Sequence, residues 1–118
     1  MLTFSGALKV YLALEPQDMR KSFNGLSALV SEHLQQDLYG GALYIFTNRQ
    51  RTRLKILFWD GTGLWVAAKR LEQGRFSWPK PTTKAQVCLS IRPEALALLT
   101  DGIDLRGAKM RPWYEREK

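Results

Sequence analysis

Residues 48–70 read NRQRTRLKILFWDGTGLWVAAKR, and the way this stretch pairs with itself sets the fold. Two runs rich in aliphatic and aromatic residues, 53–59 and 64–70, flank Asp60-Gly61-Thr62-Gly63, a turn signal that predicts a hairpin. Pairing Trp59 with Leu64 sets Leu57 against Val66, Lys55 against Ala68 and Arg53 against Arg70. A third run, 42–47, precedes it, and a loop over Asn48–Thr52 then sets Thr47 against Arg53 and Ile45 against Lys55. One face carries Tyr44, Phe46, Leu54, Ile56, Phe58, Trp65 and Ala67, with Lys69 at its edge, and reads as core. The other face is apolar near Asp60 and gathers Arg53, Lys55 and Arg70 at its far end, beside Arg49 and Arg51 on the loop. A slip of one residue would exchange the faces, so this assignment depends on register.

Working outward, Leu8–Leu14 reads as a short strand that ends before Glu15-Pro16. Asp18 is placed to cap a helix running to about Gln36, in which Met19, Phe23, Leu26, Val30 and Leu34 form one apolar stripe. Gly25 interrupts it, which suggests close packing there. Gly40-Gly41 ends the helical region. After the hairpin, residues 75–79 (RFSWP) could add a strand, and 85–91 (AQVCLSI) reads as another. Ser90 and Pro93 open a second, short helix through Leu99 that Gly102 closes. The fold class expected is α+β: a small twisted antiparallel sheet of about four to six strands. A long N-terminal helix packs on one face, and a short C-terminal helix follows. Residues 1–106 form one domain, and 107–118 form a basic, flexible tail.

The 118 residues suit one compact domain. No apolar stretch approaches a membrane span, and the first residues lack the pattern of a secretory signal. Cys88 is the sole cysteine, so no internal disulfide can form, and a cytoplasmic protein is expected. Net charge is +7, and residues 49–80 alone hold eight cations against two acids, or 8 − 2 = +6. Such concentration is what attraction to a polyanion requires, although basic residues also solubilise the turns of a sheet.

Catalytic chemistry finds little support in the chain. Asp18, Asp60, Asp101 and Asp104 each suit a cap, turn or helix exit, and nothing brings three carboxylates to a pair of metal ions. His33 and Cys88 have no spacing that links them to a base or nucleophile. Gly61-Thr62-Gly63 lacks the Lys and helix of a phosphate loop. No catalytic residue, metal or cofactor is therefore expected. Arg49, Arg51, Arg53, Lys55, Lys69, Arg70 and Arg75 are the candidate DNA-binding residues, able to neutralise phosphates. Trp59, Trp65 and Trp78 could stack on bases but suit a core better.

Taken together, VYLALEPQDMRKSFNGLSALV (10–30), the block from Tyr44 to Pro79 and GIDLRG (102–107) resemble the TnpB, or second-reading-frame, accessory proteins of IS-sixty-six class insertion sequences. The most specific pieces are Asp18-Met19-Arg20, Asn48-Arg49 through Leu57, Trp59-Asp60-Gly61, Lys69 to Glu72, and Gly74-Arg75-Phe76 with Trp78-Pro79. The resemblance implies a bacterial protein that serves transposition beside a separate transposase carrying the strand-transfer chemistry. Asn24 stands where relatives often have Asp, and Val66-Ala67-Ala68 where they show bulkier aromatics. The function expected is accessory and non-catalytic, by contact with DNA (element ends or nonspecific) through the basic hairpin end. The alternative is a module that docks the transposase or another subunit without touching DNA.

Overall fold

The computed structural model describes residues 8–102, so the expected tail over 107–118 lies outside the described residues. Five strands form one sheet: β1 Val10–Ala13, β2 Leu43–Thr47, β3 Arg53–Trp59, β4 Leu64–Arg70 and β5 Cys88–Ile91. Their order is β4-β3-β2-β1-β5. The sheet is mixed, which corrects the antiparallel expectation: β1 runs parallel to β2 and every other neighbour is antiparallel. The chain between β1 and β2 is a helical crossover, and a crossover is what brings a parallel neighbour into register. Tyr11 lies opposite Tyr44 there, their rings stacked at 5.6 Å.

The long N-terminal helix does not form. Helix α1 is Phe23–Ala28, and it continues only as a π turn over Leu29–His33. At its start the Asp18 carboxylate accepts from Arg20 N–H at 2.9 Å and the Asp18 carbonyl accepts from Lys21 N–H, so a tight turn replaces the expected cap. Gln17 N–H meanwhile donates to Thr47 O, tying this segment to the end of β2. At the other end Gln35 takes φ 54°, and Gln36 N–H bonds Val30 O across it, closing the helix in the manner of a left-handed C-cap. Leu26, Val30 and Leu34 are buried, as the apolar stripe requires, but Phe23 remains 47% exposed. Gly25 is packed against Lys21, whose Cβ would lie 3.1 Å from an added methyl.

The β3–β4 register follows the sequence reading, from Arg53 opposite Arg70 to Trp59 opposite Leu64. The β2–β3 register does not: Thr47 faces Leu54 and Ile45 faces Ile56. The loop holds one residue more than expected, because Asn48 N–H donates to Arg53 O and Arg51 adopts φ 59°. Asn48 Oδ1 accepts from both Thr52 and Arg53 N–H, which fixes the turn without a glycine. This one-residue slip divides the expected core face in two. Tyr44, Phe46 and Leu57 pack with Leu26, Val30 and Leu34 of the helical segment. Leu54 and Phe58 join Val10, Leu12, Ile45, Phe76, Trp78, Ile91 and Leu99 on the opposite side.

Both faces of the sheet are therefore covered. On the second face lie the segment carrying Phe76 and Trp78 and the short helix α2, Leu96–Thr100, entered through a 3-10 turn at Pro93–Ala95. Residues 75–79 form no strand; Phe76 N–H instead bonds Arg51 O at 2.7 Å, and Trp78 Nε1 donates to Ala13 O at 2.9 Å. Gly102, at φ 78° with its N–H on Leu99 O, closes α2 as expected.

Candidate functional site

At the hairpin end opposite Asp60, the fold juxtaposes two grooves that share Met19 and Arg53. The first, about 450 Å³, lies between Pro16–Arg20 and the loop Asn48–Gln50. The second, about 390 Å³, is lined by Met19, Arg53, Lys55, Ala68, Lys69, Arg70 and Glu72. Met19, which both grooves share, lies four residues ahead of the first residue of α1, so the segment leading into the helix forms one wall of each.

The expected cations divide between these grooves and their surroundings. Arg49 and Arg53 line the first groove, and Arg53, Lys55, Lys69 and Arg70 the second. Arg51 and Arg75 line neither; the Arg51 backbone accepts Phe76 N–H, which places Arg75 next to the same loop. Arg53 and Arg70 sit directly opposite each other across the hairpin, a like-charge pair that destabilises a sheet unless an anion lies between or above it. Among the described residues, Arg49, Arg51, Arg53 and Arg75 have no carboxylate partner. Lys69 reaches Asp101 at 3.8 Å and Arg70 reaches Glu72 at 3.3 Å, both exposed pairs of little energetic weight.

Lys55 is different. Its ammonium donates to Lys21 O at 2.7 Å, so it holds the approach to α1 against the sheet. A hydrogen bond from a charged donor is worth more than a neutral one, and half-burial here leaves about 1 kcal/mol. Lys55→Met is therefore expected to lower the unfolding free energy by about 1 kcal/mol, read as a lower urea midpoint at unchanged m-value.

Asp18 holds Arg20 in a two-pronged clamp, with Nε at 3.0–3.1 Å and Nη2 at 2.7 Å. The Arg20 side chain, then its backbone N–H, hold the Asp18 carboxyl down at about 2. A carboxyl so lowered supports the folded state above its ordinary value of 3.8, and that support is lost as pH falls through about 2. In an acid titration of the urea midpoint, the parent therefore declines more steeply over this window than Asp18→Asn. Arg20 and Met19 were missed as site residues because a continuous helix from Asp18 gives no sign that they line a groove against the loop at Asn48–Gln50. The compact Asp18-Met19-Arg20 motif was the available signal.

Asp60 serves the distant turn. Its carboxylate accepts from Thr62 and Gly63 N–H, from Thr62 Oγ1 and from Trp65 Nε1. The Thr62 N–H, with Trp65 next, drives its pKa well below the usual carboxylate range. Trp78 is buried in the core, Trp59 packs edge-on against Tyr39, and Trp65 stays 47% exposed. Burial pushes the Cys88 thiol up, away from the reactive thiolate. His33 Nε2 lies 3.3 Å from Glu15. No three His, Cys, Asp or Glu side chains gather as metal ligands among the described residues.

Fold and site define a small basic domain whose most prominent chemical feature is a cationic, grooved end of a mixed sheet. The chain belongs to the IS66 Orf2-like family: the family model described as "IS66 Orf2 like protein" matches residues 8–110. It is similar to uncharacterized protein y4jC of Sinorhizobium fredii, at 36% identity over 112 residues covering 95% of this chain and 93% of that protein. It is also similar to uncharacterized protein y4hO of the same organism, at 36% identity over 106 residues and 90% of each chain. No solved structure matches it. Family membership makes this chain an accessory protein of an insertion sequence, associated with transposition. Among the described residues no helix is long and apolar enough to cross a membrane.

Proposed function

We propose that this protein acts in transposition without catalysis, by holding the phosphate backbone of DNA against its cationic end in the cytoplasm. The observation that carries the reading is the cross-strand Arg53–Arg70 pair, with Arg49 beside it and, among the described residues, no carboxylate on Arg53 or Arg49. Phosphate oxygens supply the charge that this arrangement lacks. Lys69 lines the second groove and extends the contact, Arg51 and the adjoining Arg75 add charge from the neighbouring loop, and Lys55 supports the site through Lys21 O. Such contacts bind largely without regard to sequence. The transposase of the same element is the partner that supplies the chemistry. Duplex binding followed by fluorescence anisotropy tests this, with the Arg49→Ala/Arg53→Ala/Arg70→Ala variant as control. The expected result is duplex binding by the parent and at least tenfold weaker binding by the variant. Equal affinity would remove the phosphate assignment and favour docking of a protein subunit instead.

A further inference from the structure

The two edges of the sheet are unlike. β5 is four residues long and runs into Pro93 two residues after it ends. β4 is seven residues long, contains neither Pro nor Gly, and pairs with β3 without a bulge over its full length. No described element lies beyond it. Ala67, Ala68, Lys69 and Arg70 are exposed, and Trp65 is 47% exposed with one ring face stacked on Phe58 at 6.0 Å. Natural sheets seldom leave a long edge of this kind uncovered, and the charges that guard this one, Lys69 and Arg70, stand only at its end.

The ladder shows which groups the edge offers. Asp60 N–H bonds Gly63 O at one end of the hairpin and Leu71 N–H bonds Thr52 O at the other. Antiparallel pairs alternate between bonded and non-bonded, so Trp65, Ala67 and Lys69 spend their N–H and C=O groups on β3. Leu64, Val66, Ala68 and Arg70 direct theirs outward. The strand is also polar along its length in charge: an acid, Asp60, precedes it, and the cations Lys69 and Arg70 end it.

From this we infer that β4 pairs antiparallel with β4 of a second copy of the chain, about a two-fold axis at Ala67. Val66 then bonds Ala68 of the partner copy, and Leu64 bonds Arg70 of the partner copy. Trp65 falls opposite Lys69 of the partner copy in a non-bonded pair, where side chains are closest and an ammonium can lie on the open indole face. Each cationic end meets the Asp60 end of the other copy. A parallel arrangement would instead set Lys69 and Arg70 against themselves, which is destabilising. Small side chains at Ala67 and Ala68 leave the axis free of steric obstruction. The pairing stands apart from the phosphate reading, although it would carry two cationic ends on one sheet, about 20 Å apart by strand rise.

Sedimentation velocity across low to high micromolar concentration tests it, with far-UV circular dichroism and urea midpoints as fold controls. Ala68→Pro deletes an outward N–H that β3 does not use. Ala67→Lys puts like charges on the axis. The parent is expected to dimerise with concentration, and each variant to remain monomeric with the parent's spectrum. Mixing Ala67→Lys with Ala67→Glu should restore the dimer, because residue 67 meets its own counterpart only in this register. A parent that stays monomeric overturns the inference, as does a dimer that persists in folded Ala67→Lys. Failure of the mixed pair to associate overturns it too.

Discussion

Replacing Trp78 by Ala is expected to lower the unfolding free energy by about 3–5 kcal/mol, the range for deleting a buried aromatic side chain. That is a large share of the roughly 5–15 kcal/mol available to a domain of this kind. Trp78 is only 6% exposed and packs with Val10, Leu12, Phe76 and Leu99 on the second face of the sheet. Its indole N–H is also the donor that meets Ala13 O at the end of β1. Two losses therefore combine, a cavity and an unsatisfied carbonyl. Trp78→Phe separates them: it keeps most of the packing and loses the donor, at about 1–3 kcal/mol. Urea unfolding followed by circular dichroism reads both. Were Trp78 a base-stacking residue, its removal would weaken DNA binding and leave stability unchanged.

The Arg53→Ala/Arg70→Ala variant carries the second large effect, with opposite signs in two assays. DNA affinity falls at least tenfold, and the slope of log affinity against log salt shrinks by about 2, one for each lost phosphate contact. Stability rises instead, by about 0.2–1 kcal/mol, because a like-charge pair across the strands is removed. The Arg70–Glu72 pair lost with it is exposed and offsets little of this. A variant that weakened both binding and stability would mean that these arginines hold the fold.

The convergence of Arg53 and Arg70 was legible because it depends only on the β3–β4 hairpin, which Asp60-Gly61 announces and whose alternation fixes the register. The neighbouring register was not. The extra loop residue rests on Asn48 side-chain bonds and on Arg51 in the left-handed region, a conformation that sequence usually signals by Gly or Asn. Helix length was misread for a related reason: the Asp18 side chain serves Arg20 and not a helix start, and the two uses look alike in sequence. Strand direction at β1 depends on where the crossover returns the chain, which no local pattern records. Lys55 appeared as one more surface cation because its partner, Lys21 O, lies 34 residues away. Attraction to an anion was suggested by composition; that the segment ahead of α1, through Met19, walls the two grooves beside Arg53 required the fold.

The most direct test of the cationic end is the salt dependence of duplex binding by the parent protein, measured by anisotropy with one duplex matching the element's terminal repeat and one random. Binding to both, with log affinity falling linearly and a slope corresponding to about four or more phosphates, is the predicted result. Binding that ignores salt, or no binding to either duplex at low salt, would contradict it.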